Sequence, residues 1–287
     1  MSMMLSSIIE QQAVRHDISR TIGRLAIRAL YTELALYPKP GLVSPVDNGA
    51  HDDMTMATFM RSLFSLRSYF PQIATAGGRM SDFAALQKLG IDAERRMMAA
   101  TGGINTHRGA IFNLGLLAAA AGYHVSNHLP LDAKAICTTV SERWGVDILA
   151  SEPIDSNGSR ALARHGGDGA RQQAAGGYAV LRDVALPAFR DALALGASRN
   201  SAALQTFFAI MSVLNDTNIL HRTGRDGLGY VQGQARDFLS AGGVFAVDHL
   251  ATATDLHRAF CARRISPGGA ADLLSCTIFL HDLETLP

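Results

Sequence analysis

Between Ala100 and Phe112 the chain reads ATGGINTHRGAIF, which places two glycines, an asparagine, a histidine and an arginine directly ahead of the run AIFNLGLLAAAAG. That run, Ala110 to Gly122, has a single polar residue, Asn113, and is expected as a buried helix. A helix N-terminus carries unpaired N–H groups and the positive end of a dipole, and glycine lets a ligand approach the backbone. Gly102, Gly103, His107 and Arg108 therefore suit a phosphate. Ser266, Pro267, Gly268 and Gly269 repeat the arrangement ahead of the last helix, and two such sites fit a polyphosphate. The competing reading makes Gly102 and Gly103 the C-cap of the preceding helix and Ser266 an N-cap.

Carboxylates recur in the same kind of place. Glu33 lies on the helical stripe of Ile22, Ala26, Ala29 and Leu30, one turn before PKPG, so it needs a partner. It is either a core ion pair with Lys39 or an arginine, or a general acid or base with a raised pKa. GAHDDM sets His51, Asp52 and Asp53 at the entrance of a helix, where one aspartate reads as the N-cap and the other as a ligand for a divalent cation. Asp216 in NDTN and Asp272 in GGAADLL are further oxygen donors, while Arg171 and Arg222 are guanidinium forks suited to phosphate or to a solvated helix face. His16, His124, His128, His165, His249, His257 and His281 form no metal or triad pattern and read as surface or capping residues. Met97 and Met98 read as core filler.

The elements that must position these loops are helices. Apolar residues recur at three and four: Ile22, Leu25, Ala26, Ala29 and Leu30, then Met56, Phe59, Met60, Leu63 and Phe64. Segments of the same period run roughly over 82–99, 110–122, 131–149, 177–195, 201–214, 229–239, 247–263 and 267–283, and no strand is evident. Tyr37-Pro38 ends the first helix and Ser81-Asp82 caps the third. The expected fold is all-α, a single globular domain of about ten helices over residues 17–287, with the active site in a cleft formed by inter-helix loops and residues 1–16 as a frayed leader.

A net charge of +1 and a pI near 7.8 argue against a general nucleic-acid binder. Cys137, Cys261 and Cys276 are far apart and suggest neither a disulfide framework nor a zinc site. The N-terminus lacks the features of a secretion signal, and the longest apolar stretch is short of a membrane span. A cytoplasmic protein with no membrane or nucleic-acid partner is the expectation.

Taken together, PKPGLVSPVDNGAHDDM, GIDAERRMMAATGGINTHRGAIFNLGLL, GGDGARQQAAGG, NDTNILHR and SPGGAADLL resemble, in this order, the triphosphoribosyl-dephospho-CoA synthase family, from about Glu33 to Leu283. ILASEPIDSNGSRALAR and the unfused chain are most similar to the malonate decarboxylase branch, with the citrate lyase branch second. The resemblance implies transfer of the triphosphoribosyl unit of ATP to the 2'-hydroxyl of 3'-dephospho-CoA, with release of adenine. The product is the precursor of a carrier-subunit prosthetic group, handed on to a phosphoribosyl-dephospho-CoA transferase.

Under that implication Glu33 or Asp53 serves as general base, His107 stands near the adenine or the phosphates, and Asn105 orients. Asp53, Asp216 and Asp272 hold Mg2+, and Lys39, His51, Gly102, Gly103, Arg108, Arg171, Arg222, Ser266, Gly268 and Gly269 bind substrate. Two departures stand out: Arg108 where the family usually has lysine, and Gln172 and Gln173 where an acid is common. A Mg-dependent nucleotide N-glycoside hydrolase and a non-catalytic carrier-binding helical module are the alternatives, and a homodimer is left open.

Overall fold

The structure is a computed structural model that describes residues 2–152 and 156–286, with side chains from residue 17 onward. Every regular element among them is helical. In chain order these are α1 (Ser2–Ala35), α2 (Met56–Ser65), α3 (Tyr69–Gly78), α4 (Phe83–Thr101), α5 (Arg108–Ser126), α6 (Ala133–Ala150), α7 (Asn157–His165) and α8 (Ala170–Ala175). A π turn, Leu181–Ala185, runs into α9 (Leu186–Ala194), followed by α10 (Arg199–Val213), α11 (Thr217–Ser240), α12 (His249–Ala262) and α13 (Gly268–Glu284). The all-α expectation holds. Of the leader expected over residues 1–16, the backbone from Ser2 onward belongs to α1, while its side chains, that of His16 included, lie outside what is described.

Sequence periodicity found ten of the helices and missed α3, α7 and α8. The apolar stripe of α3 is masked by Pro71, which sits in the first turn, where a proline removes no helical hydrogen bond. α7 buries only Ala161 and is fixed by its start, where Ser156 accepts from the Ser159 N–H and the Ser159 hydroxyl answers the Ser156 N–H. α8 is only six residues long. Asp82 caps α4 as expected, but α2 is capped by Thr55, which leaves both Asp52 and Asp53 free of that role. α11 is interrupted at Gly224, whose φ of 68° and ψ of −163° separate the NDTNILHR turns from the long helix after them.

α5 is the centre of the molecule, covered by α1, α3, α4, α6, α8 and α13. It is the one helix among the described residues long and apolar enough to cross a membrane, and most of it is buried within the protein. Its packing on α3 is backbone to backbone. A Cβ on Gly122 would lie 1.9 Å from the Ala74 carbonyl oxygen, and one on Gly77 would lie 2.0 Å from that of Ala119. Such contact draws the C-terminal half of α5 onto α3, and the Tyr69 hydroxyl, donating to the Ile111 carbonyl, ties α3 to the end of α5 nearer the site.

Two of the expected surface histidines are interior. His124 bridges the Pro130 carbonyl and the Thr139 hydroxyl, and His257 meets Asp47 through Nε2. Each has found hydrogen-bond partners for both ring nitrogens, which is what permits burial.

Gly122→Ala is expected to lower Tm by roughly 5–10 °C, because overpacking against a backbone atom costs about 1–3 kcal/mol. Gly229→Ala, in α11 with open space at its Cβ, is expected to raise Tm by a few degrees. Thermal unfolding of the two variants, scored by circular dichroism, checks both signs.

Candidate active site

The inter-helix loops enclose one cleft of about 820 Å³, lined by residues from the ends of α1, α4, α5, α7, α8, α11 and α13. This is the upper part of the range for small-molecule sites. Every residue given a catalytic, metal-binding or substrate-binding role under the family resemblance lines it except Gly102, and Asp52 and Pro267 also lie outside it.

Its floor is a cluster of acids with little positive charge. Glu33 is buried and pairs with Lys39, whose ammonium donates to both the Glu33 carboxylate and the Glu33 backbone carbonyl. Of the two readings for Glu33, the ion pair is therefore present through Oε1, and Oε2 makes no hydrogen bond among the described residues.

Asp216 is also buried, at the N-cap of α11. Oδ1 accepts from the Asn218 and Ile219 N–H groups, while Oδ2 accepts from the Ala270 N–H at the start of α13. One carboxylate thus joins two helix N-termini. Burial raises its pKa and those backbone donors oppose the rise.

Asp272 has no such compensation. It projects from the second turn of α13 onto the first turn of α5, so close that a Cβ on Gly109 would lie 1.9 Å from Oδ2. Burial in the cleft floor raises its pKa well above the usual carboxylate range, Glu33 and Asp216 push it further, and only the Ala110 N–H opposes them. It forms no ion pair among the described residues.

His107 completes the floor. Nδ1 is 2.6 Å from the Ser62 hydroxyl, Phe59 packs edge-on against the ring, and Nε2 is buried with no partner among the described residues. Burial, with the Lys39 charge second, lowers its pKa to about 3, so the ring is neutral. A neutral imidazole with a vacant nitrogen suits an uncharged substrate group better than a phosphate.

The rim is basic. Arg222 donates to the Ala50 carbonyl at 3.1 Å, to the Arg264 carbonyl at 3.3 Å and to His51 Nδ1 at 3.1 Å. His51 Nε2 then meets the Ser266 hydroxyl at 2.8 Å. Burial and Arg222 lower the His51 pKa to about 4, consistent with Nδ1 accepting. Asp53 lies 3.8 Å from Nδ1, beyond hydrogen-bond distance, with its side chain 61% exposed. Arg108 pairs with Glu94, and Asn105 Oδ1 accepts from the Arg108 N–H and so caps α5, whose own N-cap residue, His107, does not.

Several expected ligands have structural partners. Gly102 and Gly103 adopt left-handed backbone and close α4 through bonds to the Met98 carbonyl, which is the capping alternative. Ser266 binds His51 and does not cap α13, whose N-cap position is Pro267. Gly268 and Gly269 are glycine because Asn218 and Asp216 press on them, so the anion at the start of α13 is Asp216 itself. Arg171 donates to the carbonyls of Ile148, Leu149 and Ser151, at the end of α6, where a cation is favoured by the helix dipole. The expected metal set of Asp53, Asp216 and Asp272 is not assembled: no three His, Cys, Asp or Glu among the described residues are grouped to hold an ion.

Residues 19–287 match the family described as CitG, ATP:dephospho-CoA triphosphoribosyl transferase. The chain belongs to this family. A protein of Acinetobacter calcoaceticus named probable 2-(5''-triphosphoribosyl)-3'-dephosphocoenzyme-A synthase is 39% identical over 278 residues, covering 96% of this chain and 93% of that one. Similarly named proteins of Pseudomonas putida and Escherichia fergusonii are each 38% identical, with 96% and 91% of this chain covered and 99% and 90% of theirs. No solved structure matches. The chain is thus a transferase of the triphosphoribosyl-dephospho-CoA synthase type, for which ATP and dephospho-CoA are the implied substrates.

Within the family fold, sequence reasoning passed over Ser62, which holds His107, and Glu94, which holds Arg108. Neither carries a sequence signal, since partners across helices have no fixed spacing. His107 takes up a proton below pH 6.5 only when the chain is unfolded, so the stability it allows above that pH is lost as pH falls toward 3. His107→Gln is therefore expected to flatten the decline in urea midpoint between pH 7.5 and pH 5 relative to the wild type, as measured by paired denaturation curves.

Proposed function

We propose that the cleft transfers the triphosphoribosyl unit of ATP to the 2'-hydroxyl of 3'-dephospho-CoA, for the malonate decarboxylase carrier subunit. The observation that supports this most is Asp272, a floor carboxylate without a protein cation, set beside a Glu33–Lys39 pair and a neutral His107. Such a floor suits a reaction in which positive charge develops at a sugar carbon between an incoming hydroxyl and a departing base.

The bond that forms joins the acceptor 2'-oxygen to ribose C1, and the bond that breaks joins C1 to adenine. The hydroxyl proton leaves the acceptor and a proton reaches the base. Glu33 is the base of choice, because its Oε2 is unbonded whereas Asp53 is solvated at the rim. Lys39 holds Glu33 in place through its carboxylate and its backbone carbonyl. His107 Nε2 holds an uncharged group of the nucleotide, the base or a ribose hydroxyl. Arg222, held by carbonyls and by neutral His51, and Arg108, paired with Glu94, lie where phosphates enter.

Mg2+ fits this donor set in the way it usually binds nucleotides, through one or two carboxylates with substrate phosphates completing the shell. Asp272 is the carboxylate that would hold it, and when bound the ion offsets phosphate charge. A three-carboxylate protein cage is not required. The product is passed to a phosphoribosyl-dephospho-CoA transferase, the protein acts in the cytoplasm, and citrate lyase is the second destination.

Adenine release is expected to need MgATP and 3'-dephospho-CoA together and to stop with a chelator while far-UV circular dichroism is unchanged. CoA is expected to be used at least about a hundredfold less well, since its 3'-phosphate would press on the carboxylate floor. Chromatographic assay of adenine decides this: release from ATP alone would mean a hydrolase, and no release under any condition would leave a binding module.

A further inference from the structure

Beyond the acidic floor the cleft continues inward between α5 and α13, where its character changes. Gly109 and Asp272 mark the floor, and one helical turn further along the same faces lie Asn113 on α5 and Ser275 on α13. Both line the cleft, and both residues are buried. Apolar and aromatic side chains line the cleft as well, among them Leu30, Tyr69, Ile73 and Leu116. No charged side chain is needed at this end by the mechanism above, and a triphosphate has nothing there to neutralise it.

Asn113 is the single polar side chain in thirteen residues of core helix, and core helices do not keep an amide without a use or a partner. Half of it is partnered. The Tyr178 hydroxyl, itself fully buried, lies 3.3 Å from Oδ1 and 3.4 Å from the Asn113 carbonyl oxygen. Donation from Tyr178 fixes Oδ1 on one side and leaves Nδ2 without a hydrogen-bond partner among the described residues. The Ser275 hydroxyl likewise makes no hydrogen bond among the described residues. A fixed amide with a free N–H pair and a spare lone pair, in an apolar slot, presents donor and acceptor side by side. That pattern complements the adenine edge, which offers an amino donor beside a ring-nitrogen acceptor.

We infer that this inner end of the cleft is an adenine pocket, in which Asn113 reads the base edge, Ser275 supports it and Tyr178 positions the Asn113 amide. The inference rests on the transferase reading above, in which two adenines are present, one in ATP and one in dephospho-CoA. Guanine and hypoxanthine carry a carbonyl where adenine carries its amino group. They would set two acceptors against each other or leave the amide unpaired, so the pocket discriminates by hydrogen bonding as well as by fit.

The test is Asn113→Leu, nearly the same in size and unable to hydrogen-bond, with Asn113→Ser as a second variant should the first not fold by circular dichroism. Calorimetric binding of free adenine to the wild type and variants is measured first, since it needs no turnover. Then kcat/KM is compared for ATP against GTP, and for 3'-dephospho-CoA against its deaminated inosine analogue.

A loss of about 10- to 100-fold in adenine affinity is expected, with collapse of one base preference. A collapsed ATP:GTP ratio assigns the pocket to the donor, and a collapsed acceptor ratio assigns it to dephospho-CoA. A merely structural Asn113 would lower all rates alike and leave both ratios unmoved, which overturns the inference even if the enzyme is active. Absence of turnover in the wild type with adenine binding still dependent on Asn113 would reject the reaction and keep the pocket.

Discussion

Three carboxylates and one lysine in an apolar floor set the terms for the rest of the molecule. Charges removed from water must be paired or hydrogen-bonded, and the chain meets that demand unevenly. Glu33 takes Lys39, Asp216 takes the N–H groups of two helices, and Asp272 is left with one backbone donor beside two other acids. The imbalance is what a cationic ligand, or a substrate developing positive charge, would relieve. It also explains the neutral His107, because a second cation near Lys39 in the same dry space would be costly.

The fold serves this floor by spending helix termini on it. Asp216 stitches α11 to α13, Asn105 closes the start of α5, and Arg171 closes the end of α6. Each capping contact also holds a loop at the edge of the cleft, so the loops are short and ordered without a sheet or linker beneath them. Glycine at 109, 268 and 269 permits the close approaches among these termini. The rim arginines, tied to carbonyls and to His51, are held ready at the entrance.

Much of this was legible in the sequence. The period of three and four gave the helices, and the loops rich in glycine, carboxylate and guanidinium marked one shared cleft. Partnership was not legible. Gly268 and Gly269 looked like a phosphate cradle because a helix N-terminus attracts an anion, yet the anion is Asp216, more than fifty residues away in sequence. Arg171 looked like a phosphate fork and is a helix cap, since a guanidinium satisfies three carbonyls as readily as a phosphate. The lone Asn113 was visible in its apolar run, but only packing of α5 against α13 shows that it faces the cleft. α3 was hidden by a proline whose place in the first turn makes it harmless.

The central claim is that Asp272 is kept at a cost in stability because the reaction needs it, and Asp272→Asn tests this most directly. Tm and the kcat/KM for adenine release with MgATP and 3'-dephospho-CoA are measured on the same preparation. The account predicts an equal or higher Tm, as like-charge repulsion in the floor is relieved, together with at least about a hundredfold loss of kcat/KM. A lower Tm with turnover within a few fold of wild type would show Asp272 to be a structural residue and contradict the account.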